Sequence, residues 1–163
     1  MVKDVDMIGV QMDLGASKRG VAMGPMAIRY GGLREGLEKL GHVVHDRGDI
    51  VPMETGESRP DLRYYQQVVD VNRRLYEQVT ASLEQGHFPV TLGGDHSIAA
   101  GSIAAVAKHY EKKGGIGVIW IDAHGDWNDP ASSPTGNMHG MPFPPCAVTA
   151  RTAWWTLARG RPL

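Results

Sequence analysis

The chain alternates short apolar runs with longer stretches whose apolar residues recur every three or four positions. That alternation is the strongest constraint on its fold. Residues 5–11, 42–45, 88–92 and 117–121 form the short runs. They run apolar continuously rather than at every second position, the signature of strands covered on both faces. Pro25 stands where a first helical residue belongs. Met26, Tyr30, Leu33, Leu37 and Leu40 follow at the spacing of one helical face, and Gly41 closes the stretch. Residues 46–60 read as loop. A longer helix is predicted over 61–85, with Leu62, Tyr65, Val68, Leu75, Val79 and Leu83 as its apolar stripe and Gly86 after it. Another is predicted over 97–112, before Gly114-Gly115. Strands alternating with helices imply an α/β fold, a three-layer αβα sandwich around a mainly parallel sheet. No internal repeat is visible.

Composition narrows the function classes. The 163 residues suffice for one domain with a core. The formal net charge of -1 points to neither a nucleic acid nor an anionic membrane as partner. Cys146 is the only cysteine, so no disulfide forms within one chain, which fits a reducing compartment. The N-terminus lacks the basic head and apolar stretch of a signal peptide. No window approaches the roughly 18 apolar residues of a membrane span. The expected location is the cytoplasm.

In a parallel sheet, ligands gather outside the C-terminal strand ends. The predicted third strand runs into Gly93-Gly94-Asp95-His96-Ser97, and the fourth into Asp122-Ala123-His124-Gly125-Asp126-Trp127-Asn128. Residues two apart in extended chain point the same way, so Asp122, His124 and Asp126 can project toward one point, with His96 beside them if the strands are neighbours. Carboxylates with imidazoles suit a borderline-hard divalent ion such as Mn²⁺, Fe²⁺ or Zn²⁺. The lack of nearby thiolates argues against structural zinc. Plainer readings exist: Asp95 as a helix cap, the rest as a salt-bridge cluster. The two segments together favour a metal, because close carboxylates repel and need a cation. The segment Thr135-Gly136-Asn137-Met138-His139-Gly140 alone would be a polar surface loop. Beside a metal it becomes a place for substrate-binding amides and a proton-carrying imidazole. His42, His45, His87 and His109 are assigned surface or structural roles. Trp127 either lines the site entrance or packs.

These motifs resemble the ureohydrolase family, and most closely its arginase branch. Gly93-Gly94-Asp95-His96-Ser97-Ile98 is similar to the family's first metal motif and Asp122-Ala123-His124-Gly125-Asp126 to its second. Asn128 and residues 135–140 are similar to arginase substrate loops, with Thr135 where the family usually has Ser. Arg19-Gly20, Gly24-Pro25 and Ile28-Arg29 match its opening pattern. The resemblance implies two Mn²⁺ ions bridging a hydroxide that attacks the guanidinium carbon of L-arginine, giving ornithine and urea. By motif, His96, Asp122 and Asp126 would hold one ion. Asp122 and His124 would hold the other. His139 would be a proton shuttle, and His124, Asn128, Thr135 and Asn137 would meet the substrate. Trimers or hexamers are common in the family. Alternatives are another ureohydrolase, acting on agmatine, guanidinobutyrate or formimidoylglutamate, or a catalytically dead metal-binding or interaction module.

The family's remaining ligands, a pair of aspartates on a later strand and a glutamate beyond, find no counterpart. The fold is therefore expected to be incomplete at its C-terminus, with little or no turnover by this chain. Residues 1–143 are assigned to the arginase-like domain. Residues 144–163 hold Cys146, Arg151, Trp154, Trp155, Arg159 and Arg161 but no acidic residue. They read as an atypical tail outside the fold, either out of frame or belonging to a genuine short variant whose partner supplies the missing half.

Overall fold

The structure, a computed structural model, describes residues 2–53 and 62–143. The expectations for residues 144–163 lie outside the described residues. Strand β1 (Asp4–Val10) is the centre of a three-stranded parallel sheet, flanked by β2 (Val43–Ile50) and β3 (Phe88–Leu92). Its continuous apolarity has the expected cause. Met7 joins Val44 and Leu92 on one face, where Leu33 and Leu37 cover them. Ile8 and Val10 turn to the other face and pack with Ile50, Val68, Val71, Leu75 and Val79. Burying each such side chain contributes about 2 kcal/mol.

The covering helices are α1 (Gly24–Tyr30) and α2 (Leu33–Lys39) on the first face, and α3 (Tyr65–Glu84) and α4 (Ala99–Tyr110) on the second. Strand 88–92 and the helices over 61–85 and 97–112 thus stand near their predicted places. α3 and α4 are clasped by polar groups: the Gly101 amide donates to Asn72 Oδ1 at 2.7 Å, and Asn72 Nδ2 donates to the Val68 carbonyl. No described helix is long and apolar enough to cross a membrane.

Three expectations are corrected. The helix predicted from Pro25 to Leu40 is broken at Gly31-Gly32, where Gly32 takes a left-handed φ of 84°. The break resets the helical phase. Leu33 and Leu37 reach the sheet, whereas Met26, Tyr30 and Leu40 are exposed.

The second correction concerns residues 46–50, read as loop, which continue β2 beside β1. Their polarity concealed the strand. On this sheet edge the charges are paired instead of buried apolar: Arg29 bridges Asp46 and Asp49 at 2.7 and 2.6 Å, and Arg47 reaches Asp6 at 2.9 Å.

The third concerns residues 117–121, expected as the most apolar strand, which form no ladder among the described residues. Ile119 and Ile121 are 90% and 95% exposed. Residues 116–119 line a cleft of about 330 Å³ against Pro89, Thr91, Ile103 and Val106. Apolarity marks such a segment for burial, but a ladder also needs aligned backbone partners.

Candidate metal centre

The chain leaves β3 through Gly93-Gly94. Gly94 has φ 36°, and a Cβ there would lie 2.7 Å from the Met12 carbonyl oxygen, so only glycine fits the turn. Asp95 follows with both oxygens engaged. Oδ1 accepts from the Ser97 amide at 2.9 Å, and Oδ2 from the Gly15 amide at 2.8 Å. It caps the turn His96–Ile98 and ties it to the loop after β1. The capping reading of Asp95 therefore holds, and His96 is left to face outward.

His96 meets the second motif. Its Nδ1 lies 2.7 Å from Asp126 Oδ2 and 3.2 Å from Asp122 Oδ2. One ligand atom from each of His96, Asp122 and Asp126 falls within 4.8 Å of the others. Asp126 is buried, with 7% side-chain exposure, whereas Asp122 lies in an exposed stretch of chain with only its side chain tucked in at 14%, and His96 is 45% exposed. Asp126 adopts a left-handed φ of 47°. For a residue other than glycine this costs about 1 kcal/mol or more, and such strain clusters at functional sites. The amide of His124 holds the Asp122 carboxyl below its ordinary range, and nearby His96 and His124 act the same way. Asp122 is thus an anion at neutral pH. Two carboxylates converging on one imidazole make a donor set that fits a divalent ion.

His124 does not join this trio. The His124 amide donates to Asp122 Oδ1 at 2.7 Å, which bends the chain between them. The side chain of His124 is then 81% exposed, with Nδ1 3.4 Å from Asp122 Oδ1. The common direction expected for residues two apart holds only while the chain stays extended.

The 135–140 loop packs beside the trio. The His139 amide donates to the Gly15 carbonyl at 3.0 Å, and the rings of His139 and His96 are 6.3 Å apart. Asn137 is buried and donates from Nδ2 to Ser17 Oγ. Thr135 Oγ1 accepts from the Asn137 amide. Asn128 reaches the Gly140 carbonyl with its amide at 3.0 Å and its side chain at 3.4 Å. The loop after β1 is itself braced. Burial pushes the Asp13 carboxyl up, but the Gly20 amide and Arg19 hold it below its usual value.

Sequence reasoning missed the aromatic backing. Trp120 meets His96 edge-on at 5.6 Å and Phe143 at 4.7 Å, and Trp127 stacks on Phe143 at 5.6 Å. Trp127 thus packs while remaining 58% exposed. A signal was present, since Trp120 precedes Asp122 by two positions in an extended segment.

A helix-covered parallel sheet with an imidazole–carboxylate cluster at its C-terminal end defines an αβα-class protein with a candidate metal-binding site. Comparison with known proteins narrows the class. The model described as the arginase family matches residues 3–154. An arginase of Staphylococcus aureus (strain MSSA476) is 50% identical over 146 residues, 86% of this chain and 47% of its own length. The crystal structure of the Bacillus subtilis arginase superposes with a TM-score of 0.79 at 47% identity, covering 86% of this chain and 47% of that one. The arginase of Entamoeba histolytica in complex with L-ornithine gives 0.72 at 33% identity, covering 86% and 48%. This chain belongs to the arginase family, whose members are hydrolases of carbon–nitrogen bonds in amidines. It spans about half the length of the curated relatives it matches.

Proposed function

We propose that this chain carries the metal-binding part of a manganese-dependent arginase, which hydrolyses L-arginine to L-ornithine and urea in the cytoplasm. The observation that carries the reading is the convergence of His96, Asp122 and Asp126, with the 135–140 loop packed alongside. The ornithine complex of a relative, which holds the amino-acid product of that reaction, supports the substrate. His96, Asp122 and Asp126 would hold one Mn²⁺, and Asp122 and His124 would serve the second. Bound there, such ions would make a deprotonated water available near neutral pH. Asn128, Thr135 and Asn137 orient the α-amino and α-carboxylate groups, His124 also borders the substrate, and the His139 imidazole hands a proton to the leaving amine. The family's trimers or hexamers are the proposed assembly.

Among the described residues, three ligand-type side chains converge at this site, and His124 beside them is turned outward. Two ions need more donors than that. This favours a second reading, in which the chain alone binds metal but turns over little or not at all. The test is Mn²⁺-dependent urea release from L-arginine, with agmatine as control and bound Mn²⁺ counted by electron paramagnetic resonance. Bound Mn²⁺ with slow, arginine-selective release supports the proposal. Preference for agmatine overturns the substrate assignment. Rates near those of ordinary enzymes, with a median kcat of about 10 s⁻¹, overturn the second reading.

A further inference from the structure

A second group of ligand-type side chains lies at the opposite end of the sheet, where the strands begin. Asp4 and Asp6 share a face of β1, His45 of β2 is in register with Asp6, and His87 immediately precedes β3. One ligand atom from each of Asp4, His45 and His87 lies within 4.8 Å of the others. The imidazole rings of His45 and His87 stack with centroids 5.1 Å apart and planes 13° apart. His45 Nε2 is 2.9 Å from Asp4 Oδ1.

The surroundings resemble a supported metal site more than a chance ion pair. His87 Nδ1 sits 3.1 Å from Asp6 Oδ1, and Asp6 is 1% exposed. Asp6 Oδ1 also accepts from Arg47 Nε at 2.9 Å, and Arg47 Nη2 lies 3.5 Å from His87 Nδ1. A buried carboxylate beside one ring nitrogen of an imidazole is the usual support behind a histidine ligand. Arg47, 2.9 Å from Asp6, balances that charge and leaves Asp4 as the anion facing the pair of rings. Two imidazolium charges stacked at this distance would repel, whereas one cation satisfies both rings and the carboxylate. α3 ends over this corner, where Arg47 also reaches Gln85 Oε1, and a helix C-terminus favours positive charge.

We propose that Asp4, His45 and His87 form a second metal site, separate from the family centre, which binds one late first-row divalent ion such as Zn²⁺ and pins the starts of the three strands together. Two imidazoles and one carboxylate, with positions left for water, suit Zn²⁺ better than a hard cation.

The test removes the first centre and asks what remains. In a variant carrying His96→Ala and Asp126→Asn, calorimetric titration with Zn²⁺ is expected to show one equivalent bound, with a raised Tm. Adding His87→Ala or His45→Ala should weaken that binding more than tenfold, and Asp4→Asn should weaken it less. No Zn²⁺ binding in the double variant, or binding indifferent to His45 and His87, overturns the proposal. The unsubstituted chain provides a check that needs no variant to fold. Substoichiometric Cu²⁺ should broaden the ring-proton resonances of His45 and His87. Broadening confined to His96, His124 and His139 overturns the proposal equally.

Discussion

His96 Nδ1 stands 2.7 Å from Asp126 Oδ2, although the two residues are 30 positions apart. The contact joins the turn after β3 to a separate loop, and it depends on a left-handed backbone at Asp126. The same 2.7 Å contact places a negative charge where His96 can share a cation with it.

Asp126→Asn should keep this local shape, because asparagine tolerates the left-handed region about as well as aspartate. It removes the charge. Mn²⁺ affinity is expected to fall by well over tenfold while the circular dichroism spectrum stays unchanged, with paramagnetic resonance counting the free ion. Unchanged affinity would remove Asp126 from the ligand set.

Asp95→Ala should act on stability and leave the ligands in place. It strips the cap from the Ser97 amide and the tie to Gly15, leaving buried donors unpaired. A loss of about 2 kcal/mol is expected. Urea denaturation measures it, and metal stoichiometry per folded molecule should not change.

Gly94→Ala should be costly despite its small added volume. The new methyl group meets the Met12 and Val10 carbonyl oxygens, and the backbone sits at a positive φ. Strain of about 1–3 kcal/mol is expected, together with weaker Mn²⁺ binding as His96 shifts. Equal stability of the two proteins would show that the turn has slack.

Acid should loosen the edge formed by β2. Hydrogen bonding by Arg29 is the main cause holding the Asp46 carboxyl below its usual value, against a push upward from burial. The unfolded chain, with its ordinary carboxylate pKa near about 4, binds that proton first as pH falls. The stabilisation is therefore complete above that ordinary value and is lost as pH drops through the lowered, folded value. Arg29→Met should flatten this acid limb in thermal melts between about pH 5 and pH 2 and lower stability by about 2 kcal/mol at neutral pH. A limb of unchanged slope would assign the acid sensitivity to other carboxylates.

Much of the fold was legible because local pattern and tertiary burial agree. β3 was read at its observed bounds, and α3 and α4 to within a few residues at each end. His96 was legible because it follows β3, whereas Asp122 and Asp126 meet it although residues 117–121, expected to lead into them as a strand, form no ladder among the described residues. β2 was half hidden, because an edge strand holding paired charges looks like loop. The break at Gly31-Gly32 was hidden inside a plausible helical stripe, since glycine within a helix is only mildly unfavourable.

The amino-acid sequence alone determined the parallel αβα layering, the place of His96 just past β3 and the residue types that gather around it, because periodicity and spacing are local properties of the chain. Tertiary structure decided the rest. It turned His124 outward through the contact with Asp122, set Trp120 against His96, left residues 117–121 without a ladder, and gathered Asp4, His45 and His87 from the starts of separate strands. Each of these depends on which distant backbone groups and side chains become neighbours, and the pairing of strands settles that only once the chain has folded.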